Sequence, residues 1–160
     1  MGLLSFIKDA GEKLFGRGEA QAAAAAADQS AKDDAAAKAI ENYIAAMKLD
    51  AEGLAVSFDG ANATVTVSGT AKDQETREKI VLCCGNVAGV DKVIDNMSVS
   101  NPTPEAQYYT VVKGDTLSKI AKQYYGNANA YMPIFEANKP MLTHPDKIYP
   151  GQVLRIPPKA

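Results

Sequence analysis

The sequence contains few of the side chains that usually build metal centres and catalytic sites. Of 160 residues, one is histidine, two are cysteine and none is tryptophan. A zinc site needs more His or Cys at ligand spacing than this chain supplies. His144 stands beside Pro145 and is interpreted as an exposed loop residue. No zinc-protease, P-loop or nucleophile-elbow motif occurs either, so we do not expect an enzyme.

Both cysteines stand next to each other, at Cys83 and Cys84. Neighbouring residues in a helix cannot easily reach the geometry of a disulfide. Free cysteine is usually buried and behaves as a small hydrophobic residue. We therefore interpret the pair as core residues, which is compatible with a reducing compartment.

The chain also lacks a long apolar run and an excess of charge of one sign. Its formal net charge is −2, so nothing drives it generally toward nucleic acid or anionic lipid. No stretch of about 20 apolar residues could span a membrane. Lys8, Asp9, Glu12 and Lys13 interrupt the apolar run that a signal peptide needs. We therefore expect a cytoplasmic monomer that binds no nucleic acid.

Two segments precede the first predicted domain. Residues 1–18 are predicted to form an amphipathic helix that docks on this domain, although a membrane-surface helix is the alternative. The apolar positions on its predicted face are Leu3, Phe6, Ile7, Ala10 and Leu14. Residues 19–37 are rich in alanine, the best helix former, and form a helical insertion in this prediction. We assign no function to that insertion.

Residues 38–100 are predicted to form a small domain with the element order αββαβ. The stretch 63–69 alternates apolar and polar residues as a half-buried strand does, and a turn signal at 59–62 precedes it. The following helix, 72–84, carries Asp73, Glu75 and Glu78, which we expect on or near its solvent-exposed face. A third strand is predicted over 90–99.

Residues 101–107 are predicted to be a linker, because proline blocks regular structure. Residues 108–157 then show the order βααβ. Tyr109 and Val111 belong to the first predicted strand, and Val153 and Ile156 to the last. Gly126 is expected to end the first helix of this domain. The fold class predicted for the whole chain is α+β, with two small domains.

Both predicted domains resemble known modules. In residues 108–157 the sequence reads Val-Val-Lys-Gly-Asp-Thr-Leu, Tyr-Gly-Asn-Ala, Ile-Phe-Glu-Ala-Asn and Ile-Tyr-Pro-Gly-Gln-Val-Leu-Arg-Ile-Pro, and it closely resembles a LysM module. Residues 38–100 contain Val-Thr-Val-Ser-Gly and Val-Ala-Gly-Val, followed by Asn-Met-Ser-Val, and resemble a BON domain. The BON resemblance implies a link to membranes, which we leave open.

A LysM module implies a groove for glycans that contain N-acetylglucosamine, such as peptidoglycan. The groove would lie between the loop after the first strand and the loop after the second helix. Its residues would be Gly114, Asp115, Thr116, Leu117, Met141 and Ile148. A cytoplasmic chain meets no mature peptidoglycan, so glycan binding is the second of our hypotheses.

The order of both modules, with the N-terminal segment before them, resembles a family of cytoplasmic bacterial potassium-binding proteins. The alanine-rich insertion departs from that resemblance. The resemblance implies a K⁺ sensor that is compact with the ion bound. Neutral carbonyl oxygens can replace the water around K⁺, and helix ends and glycine loops leave such oxygens free. We predict that the ligands are the backbone carbonyls of Ile7, Ala10, Glu12, Gly85, Val87 and Val90.

Overall fold

The computed structural model describes residues 2–5, 29–87, 89–139 and 141–158. They form two α+β modules, which confirms the predicted fold class. The first module consists of β1 (Gly2–Ser5), α1 (Gln29–Ala46), β2 (Glu52–Asp59), β3 (Thr64–Asp73), α2 (Gln74–Gly85) and β4 (Lys92–Asn101). The second consists of β5 (Gln107–Thr110), α3 (Leu117–Tyr125), a 3-10 turn (Ala128–Ala130), α4 (Tyr131–Ala137) and β6 (Val153–Ile156).

The first module is a four-stranded sheet in the order β1-β4-β3-β2, with its helices packed on the apolar side chains of the strands. The two central strands, β3 and β4, run parallel, and α2 connects them. A crossover helix of this kind is what parallel neighbours require. The core contains Ile40 and Ile44 of α1, Ile80 of α2, and Val65 and Val93 of the sheet.

Strand β1 corrects the prediction of a helix over residues 1–18. Leu3 and Leu4 pair antiparallel with Ile94 and Val93 of β4. The pairing satisfies the backbone groups along an edge of β4 that would otherwise stay open, and this tertiary contact overrides the helical spacing. The predicted helix is therefore wrong for the segment Leu3–Ser5. Residues 6–28 lie outside the described residues.

Helix α1 (Gln29–Ala46) includes the end of the alanine-rich stretch that we predicted as a separate insertion. Ala36 and Ala37 are each 9% exposed, and Ile40 and Ile44 are fully buried. Positions 36, 37, 40 and 44 share one helical face. The end of the alanine-rich stretch therefore belongs to the apolar face that α1 packs on the sheet.

The second module is a two-stranded antiparallel sheet covered by two helices. Thr116 begins α3, and its hydroxyl oxygen accepts a hydrogen bond from the Lys119 N–H. Gly126 ends it in the left-handed conformation at φ 73°. The segment 102–106 joins the two modules, and Ala106 in it is buried. None of the helices in the described ranges is long and apolar enough to cross a membrane.

Candidate functional site

The loop from Gly85 to Val90 connects α2 to β4 and contains three of the predicted ligands. The backbone N–H of Asn86 donates to the Leu82 carbonyl at 2.9 Å and caps the helix. The carbonyl end of a helix carries partial negative charge, which favours a cation. Gly85, Val87 and Val90 are all buried. The loop thus holds these carbonyls where water has little access.

A tight turn shapes the second half of this loop. The Val90 N–H donates to the Val87 carbonyl at 3.1 Å, and Gly89 between them has φ 100°. Glycine adopts this conformation without the steric cost that other residues pay. The Val87 oxygen accepts this bond, and a carbonyl oxygen has a second lone pair that can serve another partner. Gly89 therefore fixes how Val87 and Val90 are placed relative to each other.

Strand β1 leads the N-terminal segment toward the same loop. Its last residue, Ser5, pairs with Lys92, the first residue of β4. Ile7 follows Ser5 by two residues, and Val90 precedes Lys92 by two. Two residues of chain span at most about 7 Å, so Val90 lies close to the strand pair that Ser5 and Lys92 form. The three N-terminal residues predicted as ligands, Ile7, Ala10 and Glu12, lie outside the described residues.

Acidic, histidine and cysteine side chains form no candidate metal site in the parts of the chain that the structure describes: no group of three or more could hold an ion. Cys83 and Cys84 are buried and free, as predicted for core residues. Burial raises the pKa of the Cys83 thiol to about 12 and that of Cys84 well above its ordinary value. Neither thiol is therefore poised to ionise and react.

Several residues predicted for the glycan groove also have structural roles. The Asp115 carboxylate accepts hydrogen bonds from the Tyr109 hydroxyl at 2.6 Å and from the Val112 N–H at 2.9 Å. These bonds, the Tyr109 bond first, lower the pKa of Asp115. The hydroxyl of Thr116 caps α3, and Leu117 is buried in the core.

The other predicted groove residues lie in three different surroundings. Gly114 lies exposed at φ 91°. Ile148 packs against the apolar cluster of the second module, whereas Met141 packs against the cluster that unites the core of the first module with Val153 of β6. Met141 of the predicted groove therefore lies beside the contact between the modules.

The contact between the modules begins at the candidate ion loop. The Asn86 side-chain amide donates to the Val153 carbonyl at 2.9 Å, and its oxygen accepts from the Val153 N–H at 3.0 Å. Val153 belongs to β6, and together with Tyr108 and Met141 it packs against the core of the first module. Burial, followed by the nearby Glu78 carboxylate, raises the pKa of Tyr108.

Glu78 corrects the prediction of a solvent-exposed carboxylate. It is 3% exposed, and its Oε1 accepts from the Arg155 Nε of β6 at 2.6 Å. Its Oε2 accepts from the Gln74 amide at 3.1 Å and from the Ala106 N–H at 3.0 Å. Glu78 therefore joins the connecting segment and β6 to α2. Asp73, in contrast, caps α2 by accepting from the Thr76 N–H at 2.8 Å, and Glu75 is exposed.

Sequence reasoning did not identify Asn86, Glu78 and Arg155 as residues of one contact. Arg155 lies 77 residues from Glu78 in the sequence, and Val153 lies 67 residues from Asn86. The only local signal was that Glu78 follows Gln74 by one helical turn.

Comparison with protein-family models identifies both modules. A BON domain matches residues 32–101, and a LysM domain matches residues 109–157. The chain is thus a BON–LysM protein. It is 49% identical over 157 residues to the potassium binding protein Kbp of Escherichia coli O6:H1, an alignment that covers 98% of this chain and 99% of the relative. The chain therefore belongs to the Kbp family.

A second relative shares a much smaller part of the chain. It is an uncharacterized protein of Deinococcus radiodurans, 53% identical over 49 residues. The match covers 31% of this chain and 19% of the relative. This similarity extends to one module at most and bears little on the activity of the whole chain.

Proposed function

We propose that this protein is a cytoplasmic K⁺ sensor that holds one ion with backbone carbonyls. The ligands are those of Gly85, Val87 and Val90 in the loop and of Ile7, Ala10 and Glu12 in the N-terminal segment. The observation that carries the proposal is the register of β1, which pairs Ser5 with Lys92. This register supports the proposal, because the chain continues from Ser5 toward the N-terminal group of proposed ligands and reaches Lys92 from the loop group. The name of the relative, which is a potassium binding protein, supports the choice of ion.

The chemistry of the loop suits a large, weakly hydrated monovalent cation. Carbonyl oxygens replace the water around K⁺ without adding formal charge, whereas Ca²⁺ sites usually use several carboxylates. A helix end and a glycine turn supply buried carbonyl groups that lie outside any long run of regular helix or sheet hydrogen bonds. Selectivity then depends on the backbone path rather than on any one side chain.

Ion binding also acts on the arrangement of the modules. A ligand that binds one conformation shifts the population toward it by its differential affinity. Here the candidate loop contains Asn86, which contacts β6 of the second module. We propose that the ion favours this closed arrangement and makes the protein more compact.

Two truncated proteins test the N-terminal half of the site. A chain without residues 1–15 lacks Ile7, Ala10 and Glu12, and we expect it to show no K⁺ binding in calorimetric titration. A chain without residues 1–5 lacks β1 but keeps these three residues. We expect it to bind K⁺ weakly, because the segment remains present but is no longer tethered.

The comparison of both truncations with the full chain decides the assignment, provided that NMR spectra show folded modules. K⁺ affinity at the full-chain level in the longer truncation would rule out the N-terminal carbonyls. If both truncated chains lose the same K⁺ affinity, the absence of β1 alone accounts for the loss.

A further inference from the structure

We infer that Asn86 is a positioning residue that couples the ion site to docking of the second module. This inference rests on the proposed function, because it concerns how the same loop is held. Asn86 supplies no proposed ligand. It lies between Gly85 and Val87, whose carbonyls are proposed ligands, and its side chain contacts the other module.

The side chain of Asn86 completes one edge of β6. The backbone groups of Val153 and Arg155 point away from β5, because successive residues of a strand bond to opposite sides. Within the second module, Asn138 donates to the Arg155 carbonyl at 2.9 Å and accepts from the Arg155 N–H at 2.8 Å. Asn86 makes the same two-way contact with Val153 from the first module. The two side-chain amides thus bond the backbone groups of β6 that a neighbouring strand would otherwise bond. Asn86 belongs to the first module, so its bonds connect the two modules.

The main chain of Asn86 transmits this contact to the loop. Its N–H and the Gly85 carbonyl belong to one planar peptide unit. That N–H donates to the Leu82 carbonyl of α2, and this bond restricts rotation of the Gly85–Asn86 peptide plane. The side-chain bonds to Val153 hold the same residue against the second module. A loop held in this way presents the Gly85 and Val87 carbonyls in one arrangement before the ion arrives.

Coupling between two binding events is reciprocal. If K⁺ strengthens docking by some factor, docking must strengthen K⁺ binding by the same factor. The inference therefore predicts that removing the Asn86 side chain weakens K⁺ binding, although every backbone carbonyl remains in the chain. The expected loss of affinity is roughly tenfold, within the range typical of coupled sites.

The test uses the full-length Asn86→Ala variant, K⁺ titration by calorimetry and small-angle X-ray scattering. We expect weaker K⁺ binding and a smaller decrease in the radius of gyration on adding K⁺. Asn138→Ala is the control, since it removes the same pair of bonds from the same strand, together with a bond to the Ile134 carbonyl, but no side-chain hydrogen bond between modules. Measured where its NMR spectrum shows a folded second module, it should bind K⁺ like the wild type.

A second variant tests whether alanine at position 86 weakens K⁺ binding only by changing the conformation of the loop. Arg155→Met leaves the sequence of the loop at residues 85–90 unchanged and removes the ion pair with Glu78 that joins β6 to α2. It should also weaken K⁺ binding. Wild-type K⁺ affinity in both Asn86→Ala and Arg155→Met would overturn the inference while leaving the proposed function intact. Absence of K⁺ binding in the wild type would overturn both.

Discussion

The Glu78→Ala variant is expected to lose about 3–5 kcal/mol of unfolding free energy. Its carboxylate is 3% exposed, and the Arg155 side chain opposite is 9% exposed. Removing the carboxylate leaves a buried guanidinium without its partner. It also removes the acceptor of the Gln74 amide and of the Ala106 N–H. Each buried donor left unsatisfied adds to the cost.

Urea denaturation of three further variants separates this mechanism from a general effect of losing charge. Glu136→Ala removes an exposed carboxylate that pairs with Lys139 at 3.2 Å, and it should cost less than about 1 kcal/mol. The double variant Glu78→Leu and Arg155→Leu should recover the part of the loss that comes from the unpaired guanidinium, because apolar pairs often replace buried ion pairs at little cost. Arg155→Leu alone should remain destabilised. A Glu78→Ala loss as small as that of Glu136→Ala would contradict the buried network.

The Gly89→Val variant is expected to weaken K⁺ binding by about 10- to 100-fold. Gly89 has φ 100°, and a β-branched residue is a severe outlier at positive φ. Strain of roughly 1–3 kcal/mol corresponds to this range of affinity if the loop must adopt the native path to bind. The substitution adds no charge and removes no carbonyl. It therefore tests the backbone path between Val87 and Val90 directly.

Gly126→Val is the matched control for backbone strain. Gly126 also has positive φ, at 73°, and an added Cβ there meets no atom within 4 Å. It ends α3 in the second module, so the variant should lower stability and leave K⁺ affinity near the wild-type value. Calorimetric titration at a temperature where both variants are folded makes the comparison. If Gly89→Val binds K⁺ as tightly as Gly126→Val, the carbonyls of Val87 and Val90 are not ligands.

The regular elements of both modules could be predicted because their patterns are local. Alternation from Thr64 onward and the stripe of Leu117, Ile120 and Ala121 each depend on residues a few positions apart. Gly126 and Thr116 mark the ends of α3 by equally local chemistry. Strand β1 escaped prediction, since it has only four residues and forms by pairing with β4.

The contact between the modules could not be predicted, because its residues are far apart in the sequence. A carboxylate at position 78 on a helix looks solvent-exposed until Arg155 is known to lie opposite. Asn86 after a helix looks like an ordinary cap, and it does cap α2 through its backbone. Its side chain gains a second role only when Val153 is packed beside it. The ligand set itself still rests on family resemblance and on the register of β1.

Thermal unfolding in KCl and in NaCl at the same ionic strength tests the K⁺ site most directly. A ligand that binds only the folded state adds about 2.7 kcal/mol of stability at 100 times its Kd. For a chain of this size that corresponds to a rise of roughly 5–10 °C in the melting temperature. We predict that the melting temperature is higher in KCl than in NaCl by this amount. Equal melting temperatures in the two salts would contradict a selective K⁺ site and would make glycan binding by the LysM module the leading hypothesis.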